Sequence, residues 1–189
     1  YVPGREIYHS MDRILGEAQD RVREGAREIT LLGQTVNSYR HGDHRFADLL
    51  RGVASADGVD RVRFISPHPY YMTDRVIQAM ADVPEVCEGL HLPVQSGSTM
   101  MLRKMQRNYT REGYLELVGK LRRAMPDITI STDVIVGYPG ESQDDFRETQ
   151  PHTAEPLENG IERLAGSDRG HQLRDRARRA PVDAFERLL

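Results

Sequence analysis

Apolar positions Met11, Ile14, Leu15, Ala18 and Val22 recur at helical spacing, with Ser10 placed to cap the start and Gly25 to stop the end. A β-rich run follows at Ile29-Thr30-Leu31-Leu32. A second helical pattern then carries Phe46, Leu49, Leu50 and Val53. Arg61-Val62-Arg63-Phe64-Ile65 alternates as a strand does and is closed by Pro67 and Pro69. Thr73 can cap a helix bearing Val76, Ile77 and Met80, after which Gly89 to Val94 reads as a strand with Pro93 near its end. Met100, Met101, Leu102 and Met105 predict a short helix. Thr110 opens a longer one through Tyr114, Leu117, Val118 and Leu121, and Ile128 to Val136 completes the pattern as a strand.

The expected strands are therefore 28–33, 61–66, 89–95 and 128–136, each separated from the next by helix. Such a run of βα units demands a parallel sheet with right-handed crossovers and outer helices. A barrel and an open doubly wound sheet both fit, although four strands cannot close a barrel of about eight. The pattern is that of an incomplete α/β sheet.

Parallel sheets gather their chemistry at the carboxyl ends of the strands. There the chain places Gly33-Gln34-Thr35-Val36-Asn37, then Ser66-Pro67-His68-Pro69, then Gln95-Ser96-Gly97-Ser98, and finally Ser131 and Asp133 running into Gly137-Tyr138-Pro139-Gly140-Glu141. Amides, hydroxyls and a carboxylate on one rim suit a ligand rich in hydroxyl and amine groups. No Ser-His-Asp spacing or His-x-x-x-His metal signature accompanies them, so no residue is assigned as catalytic or as a metal ligand.

Plainer readings stand beside these. Gly137 and Gly140 can simply make a tight turn, with Glu141 in the first turn of the next helix. Gln34 and Asn37 can satisfy their own loop backbone. His68 and His91 read as packed or hydrogen-bonded, and the methionines at 100, 101 and 105 as core filling. Arg103, Lys104 and Arg107 form a solvated basic face or an anchor for an anion.

Composition narrows the field. The 26 basic and 29 acidic residues leave a net charge of −3, without the basic footprint of a self-sufficient nucleic-acid binder. No apolar run has the length of a membrane span, and no membrane partner is expected. The single cysteine, Cys87, reads as structural and can form neither an internal disulfide nor a cluster site by itself. A reducing, cytoplasmic setting and a monomer are expected. Past Pro151 the character shifts: residues 151–189 hold 7 arginines, 7 acids and no lysine, and read as a weakly structured tail with a marginal helix from Asp183 to Leu189. The expected division is a core of 1–150 and a divergent tail of 151–189.

Three segments together are specific. Leu31-Leu32-Gly33-Gln34-Thr35-Val36-Asn37-Ser38-Tyr39, Leu90 to Ser98 and Asp133 to Glu141 resemble, in order and spacing, the radical S-adenosylmethionine methylthiotransferases, as does Met105-Gln106-Arg107-Asn108-Tyr109-Thr110. The first segment looks like the tRNA branch, which adds a methylthio group to isopentenyl-adenosine beside the anticodon; the ribosomal-protein branch is the alternative. The resemblance implies a partial (β/α) barrel of the radical-SAM type and two cofactors, S-adenosylmethionine and 4Fe-4S clusters, at the strand ends. In such enzymes the cluster reduces the sulfonium, and the resulting 5′-deoxyadenosyl radical takes a hydrogen from the substrate.

By this resemblance Gln34 lines the methionine end of the cofactor, Gln95 and Ser96 lie near its ribose, and Arg107 meets its carboxylate. Ser131 and Asp133 supply further polar groups, while Ile135, Gly137 and Pro139 flank the adenine. The family holds its cluster in a Cys-x-x-x-Cys-x-x-Cys loop followed closely by Val-Pro-Tyr-x-Arg-Gly. This sequence opens at that Tyr, with Pro3 where Arg is usual. The expectation is a fragment, inactive alone for want of cluster ligands, whose parent acts on tRNA; a non-catalytic remnant is the other reading. The tail does not resemble the family's next strand, and its arginine-rich, lysine-free composition raises the hypothesis of an out-of-frame reading of a GC-rich gene.

Overall fold

The structure, a computed structural model, describes residues 7–149. Helix α1 (Met11–Arg23) begins where the Ser10 hydroxyl accepts from the Arg13 amide, and ends at Gly25 with a φ of 104°. Strand β1 (Glu28–Leu31) leads to a 3-10 turn at Val36–Ser38 and a small antiparallel hairpin, β2 (Arg40–His41) with β3 (His44–Arg45). Then come α2 (Phe46–Ala54), β4 (Arg61–Phe64), a 3-10 turn at Pro69–Tyr71 and α3 (Asp74–Asp82). Strand β5 (Gly89–His91), α4 (Thr99–Lys104), α5 (Arg111–Ala124), β6 (Thr129–Ser131) and α6 (Gln143–Thr149) follow.

The architecture is mixed α/β with parallel pairing. Strand β1 pairs with β4 and β5 with β6, both in parallel. The two pairs are linked where Val62 of β4 bridges in parallel to Val86, just ahead of β5. The Val62 amide donates to the Glu85 carbonyl at 2.7 Å, and the Cys87 amide to the Val62 carbonyl at 3.0 Å. The parallel strands β1, β4, β5 and β6 therefore succeed one another in chain order, with the β2–β3 hairpin apart from them.

Alternation sets which face is buried. In β4, Val62 and Phe64 turn inward while Arg61 and Arg63 turn out, and both arginines pair with Glu28 on β1 at 3.1 and 2.8 Å. The inward faces meet Ile14 and Ala18 of α1, Leu49, Leu50 and Val53 of α2, Met80 of α3 and Leu121 of α5 in one core. Phe46 and Phe64 meet edge to face, with ring centroids 5.1 Å apart.

The caps expected at Thr73 and Thr110 are present, each hydroxyl accepting from the amide three residues on. Three expectations need correction. The strands are shorter than 28–33, 61–66, 89–95 and 128–136, because ladder pairing stops at Leu31, Phe64, His91 and Ser131. Beyond β6 only the Gln95 to Val134 bridge remains, and Val134, Ile135 and Val136 are exposed. Glu141 precedes α6 instead of sitting in its first turn. Met100 is exposed, whereas Met101 fills the core as expected. The tail of 151–189 and the opening residues 1–6 lie outside the described residues.

Candidate functional site

The loops that leave the parallel strands contain two backbone departures. Ser66, after β4, has a φ of 57°, and Gln95, after β5, a φ of 70°. Non-glycine residues enter this left-handed region at a conformational penalty, which surrounding structure must sustain. At Gln95 the chain turns sharply while its backbone still bonds to the neighbouring segment: the Gln95 amide donates to the Asp133 carbonyl at 3.0 Å, and the Ile135 amide to the Gln95 carbonyl at 2.8 Å.

Helix α4 carries the cation to that point. Its end is a Schellman turn, with Gln106 in the left-handed region at φ 57°, the Gln106 amide on the Arg103 carbonyl and the Arg107 amide on the Leu102 carbonyl. Reversal of the chain there brings an Arg107 guanidinium Nη2 to 3.3 Å from the Gln95 side-chain oxygen. The Arg107 Nε is buried and has no hydrogen-bond partner. A buried, unpaired guanidinium donor invites an anionic acceptor. The same positive charge, after burial itself, holds the His68 imidazole below its ordinary range.

A second group lies on the last strand pair. His91 and Ser131 are register partners in β5 and β6. The His91 ring shares one hydrogen bond with the Ser131 hydroxyl at 3.0 Å, and its other nitrogen lies 3.2 Å from Asp133 Oδ2. Ile135, Gly137 and Pro139 continue beyond them as an exposed edge and turn. Gly137 has a φ of 73°, and its amide donates to the Glu141 carboxylate. With Glu141 on that amide, the turn offers no phosphate cradle.

Ser96 is wholly buried behind this rim, its hydroxyl 3.2 Å from Thr149 Oγ1 and accepting from the Ser98 amide at 3.1 Å. Gly97 is pressed so closely on α6 that a Cβ there would stand 2.1 Å from the Glu148 carbonyl oxygen. Ser98 donates to Asp145 Oδ1 at 2.6 Å. Gln34 is exposed in the turn after β1, and among the described residues no hydrogen bond joins it to the other expected site residues. Gln95 and Arg107 are brought together, as are Ser131 and Asp133, with Gln95 tied through its backbone to Asp133 and Ile135.

For several residues the sequence offered plainer readings, and the structure shows which partners they take. Asn37 does not satisfy its own loop: its side chain donates to the His68 carbonyl at 3.0 Å and accepts from the His68 amide at 2.8 Å, stapling the loops after β1 and β4. Lys104 is engaged, not merely solvated, donating to the Gly140 carbonyl at 2.7 Å. The role of His91 follows from its register against Ser131, which a parallel pairing of the two runs could have exposed.

The Radical SAM superfamily matches residues 1–150. The chain belongs to this superfamily. Within it the chain is similar to proteins named tRNA-2-methylthio-N(6)-dimethylallyladenosine synthase: it is 53% identical over 152 residues to that of Clostridium novyi (strain NT), covering 79% of this chain and 34% of the relative. It is 52% identical over 149 residues to that of Acidothermus cellulolyticus, covering 77% of this chain and 30% of the relative. The resemblance drawn from the motifs is borne out by these relatives and by the superfamily match. It spans about a third of the length of the curated relatives it matches.

Proposed function

We propose that this chain forms the S-adenosylmethionine-binding part of an enzyme that adds a methylthio group to isopentenyl-adenosine beside the anticodon of tRNA. The observation that carries the reading is the buried, unpartnered Nε of Arg107 beside Gln95. A cofactor carboxylate would complete that donor set, and Gln95, held in its left-handed turn, would present an amide next to it. Ser131 and Asp133, oriented by His91, would receive the amine and ribose hydroxyls. Ile135, Gly137 and Pro139 would offer the adenine an apolar, narrow edge, with Gln34 closing the methionine end. Ser96 would fix the loop from behind.

S-adenosylmethionine, when bound, supplies a sulfonium with activated carbon–sulfur bonds. An iron-sulfur cluster does not fit this chain, which has one cysteine against about four thiolates. Among the described residues no cluster of three or more His, Cys, Asp or Glu could hold a metal. Alone, then, the chain is a binding floor without methylthio transfer. That same cysteine count favours a second reading, a non-catalytic remnant.

The barrel in this proposal is a partial one, 1–150 is the working unit, and the chain is a cytoplasmic monomer. No helix among the described residues is long and apolar enough to cross a membrane. Equilibrium dialysis of the 189-residue chain against radiolabelled S-adenosylmethionine tests the binding role. Saturable binding that is lost in Arg107→Gln supports it, and absence of binding in the unaltered chain defeats it in favour of the remnant.

A further inference from the structure

A cavity of about 590 Å³ opens outside the proposed cofactor site, between the β2–β3 hairpin and the starts of α2 and α3. Its volume falls within the roughly 300–1,000 Å³ of small-ligand sites. Tyr8, Phe46 and Tyr71 contribute its aromatic wall, and Arg40, Arg45 and Arg75 its cations. The hairpin is the informative element. Its register sets Arg40 directly opposite Arg45, and His41 opposite His44. Like charges facing each other across a strand pair are destabilising, so an isolated hairpin has no use for this arrangement. An anion between the arginines reverses the sign of the interaction.

Pairing inside the protein does not remove that charge. Arg45 Nη1 donates only to the Gly42 and His44 carbonyls, at 2.9 and 3.0 Å, which fixes the guanidinium without neutralising it. Arg40 is exposed and enters no salt bridge among the described residues. Arg75 is paired with Asp48 at 2.9 Å, and the one carboxylate lining the cavity, Asp74, is taken by Lys120 at 3.1 Å. The lining is left with a net positive charge on the hairpin side.

The aromatic side is equally built. Tyr71 is 40% exposed, yet its ring is held edge-on by Tyr70 and His68, with centroids 5.0 and 6.0 Å away. Tyr8 stands edge-on to the buried Tyr39, and its hydroxyl lies 2.9 Å from the Ser38 hydroxyl. A rigid, half-open ring that shares a cavity with arginines can take a base by its face and a phosphate by its charge.

We infer that this cavity seats one nucleotide of a single-stranded RNA segment, its base against Tyr71 and its phosphate between Arg40 and Arg45. Resting on the tRNA reading above, it assigns to the cavity an unpaired nucleotide that flanks the modified adenosine. Neither Gln95 nor Arg107 lines this cavity, so it is a site distinct from the proposed cofactor site.

Fluorescence anisotropy with a labelled anticodon-arm RNA hairpin and the full 189-residue chain tests this. In Arg40→Gln/Arg45→Gln the dissociation constant should rise about tenfold, with a shallower salt dependence. In Tyr71→Leu it should rise about fivefold with the salt dependence unchanged. Circular dichroism checks that both variants fold, and Arg40→Lys/Arg45→Lys, which keeps the charge, should retain most of the affinity. A chain that binds the hairpin but ignores all these substitutions overturns the cavity while leaving the tRNA reading standing. Equal loss with a fully paired RNA duplex overturns the single-strand assignment, and a chain that binds no RNA overturns the inference outright.

Discussion

Ser98 and Asp145, separated by 47 residues, share a hydrogen bond of 2.6 Å in which the serine hydroxyl donates to the carboxylate. The other carboxylate oxygen accepts from the amide and hydroxyl of Ser142, at 3.0 and 2.6 Å. This one side chain caps α6 and pins the helix to the loop that follows β5.

The bonds from Ser142 first, and then from Ser98, hold the Asp145 carboxyl down to about 2 from its ordinary 3.8. A depressed carboxyl stabilises the fold fully above its unfolded value, and the contribution disappears as pH falls through the folded one. Thermal melts between about pH 4 and pH 2 should therefore show a steep loss of stability that is blunted in Asp145→Asn. Parallel curves for the two proteins would remove Asp145 from this account.

Phenols behave oppositely. Burial pushes Tyr109 up to about 12, and Tyr114 is raised as well, each donating to a backbone carbonyl around Pro93. Since a raised phenol loses its stabilising proton as pH climbs from about 10 to about 12, alkaline unfolding should fall in that interval. Ultraviolet titration should show Tyr109 and Tyr114 ionising only with unfolding, joined by the buried Tyr39, whose phenol is raised by burial and then by the charge of Asp12. Tyr114→Phe, which removes the 2.7 Å bond to the Leu92 carbonyl, should lower stability by about 1 kcal/mol in urea denaturation.

Asn37→Ala strips both bonds from the His68 backbone in a buried position. The His68 carbonyl keeps the Tyr71 amide at 3.0 Å, so only the His68 amide is left without a partner, and a loss of about 1–3 kcal/mol is expected. Asn37→Asp keeps only the acceptor and should fall between. Denaturation midpoints of the three proteins check the order.

His91→Phe should uncouple Ser131 from Asp133 without touching the core. If His91 orients those groups for the cofactor, the S-adenosylmethionine dissociation constant should rise about fivefold. The melting temperature should barely move, because the pair is largely solvent-exposed. Unchanged cofactor affinity would reduce the triad to a strand-pairing detail.

Anaerobic reconstitution of the chain with iron and sulfide should yield no stoichiometric cluster, given its one thiolate. Iron and acid-labile sulfide analysis reads this directly.

Much of the scaffold was legible because its signals are local. Ser10, Thr73 and Thr110 cap helices through bonds to amides three residues away, and Val62 and Phe64 announce a strand by alternation. The β2–β3 hairpin was not legible: two-residue strands have no period, and Arg-His-Gly-Asp-His-Arg resembles a solvated loop. Pairing of Gln95 with Arg107 rests on a Schellman turn closed by Gln106, where glycine is the usual signal. The contacts of Asn37 and Asp145 arise only when distant segments meet, so neither residue's neighbours in sequence disclose them.

At Gly97 the loop after β5 and helix α6 touch backbone to backbone, with no room for a methyl group. The rim bearing Gln95 is thereby coupled to a short, seven-residue helix. The Gly97 amide donates to Thr149 Oγ1 of α6 at 3.0 Å, so it should exchange with solvent deuterium at the rate at which that helix frays, whereas the Ser98 amide, held by Ser96 Oγ, should exchange more slowly. The rim loop thus takes its shape from a helix packed directly behind it, and fraying of that helix reaches Gln95 within two residues of Gly97.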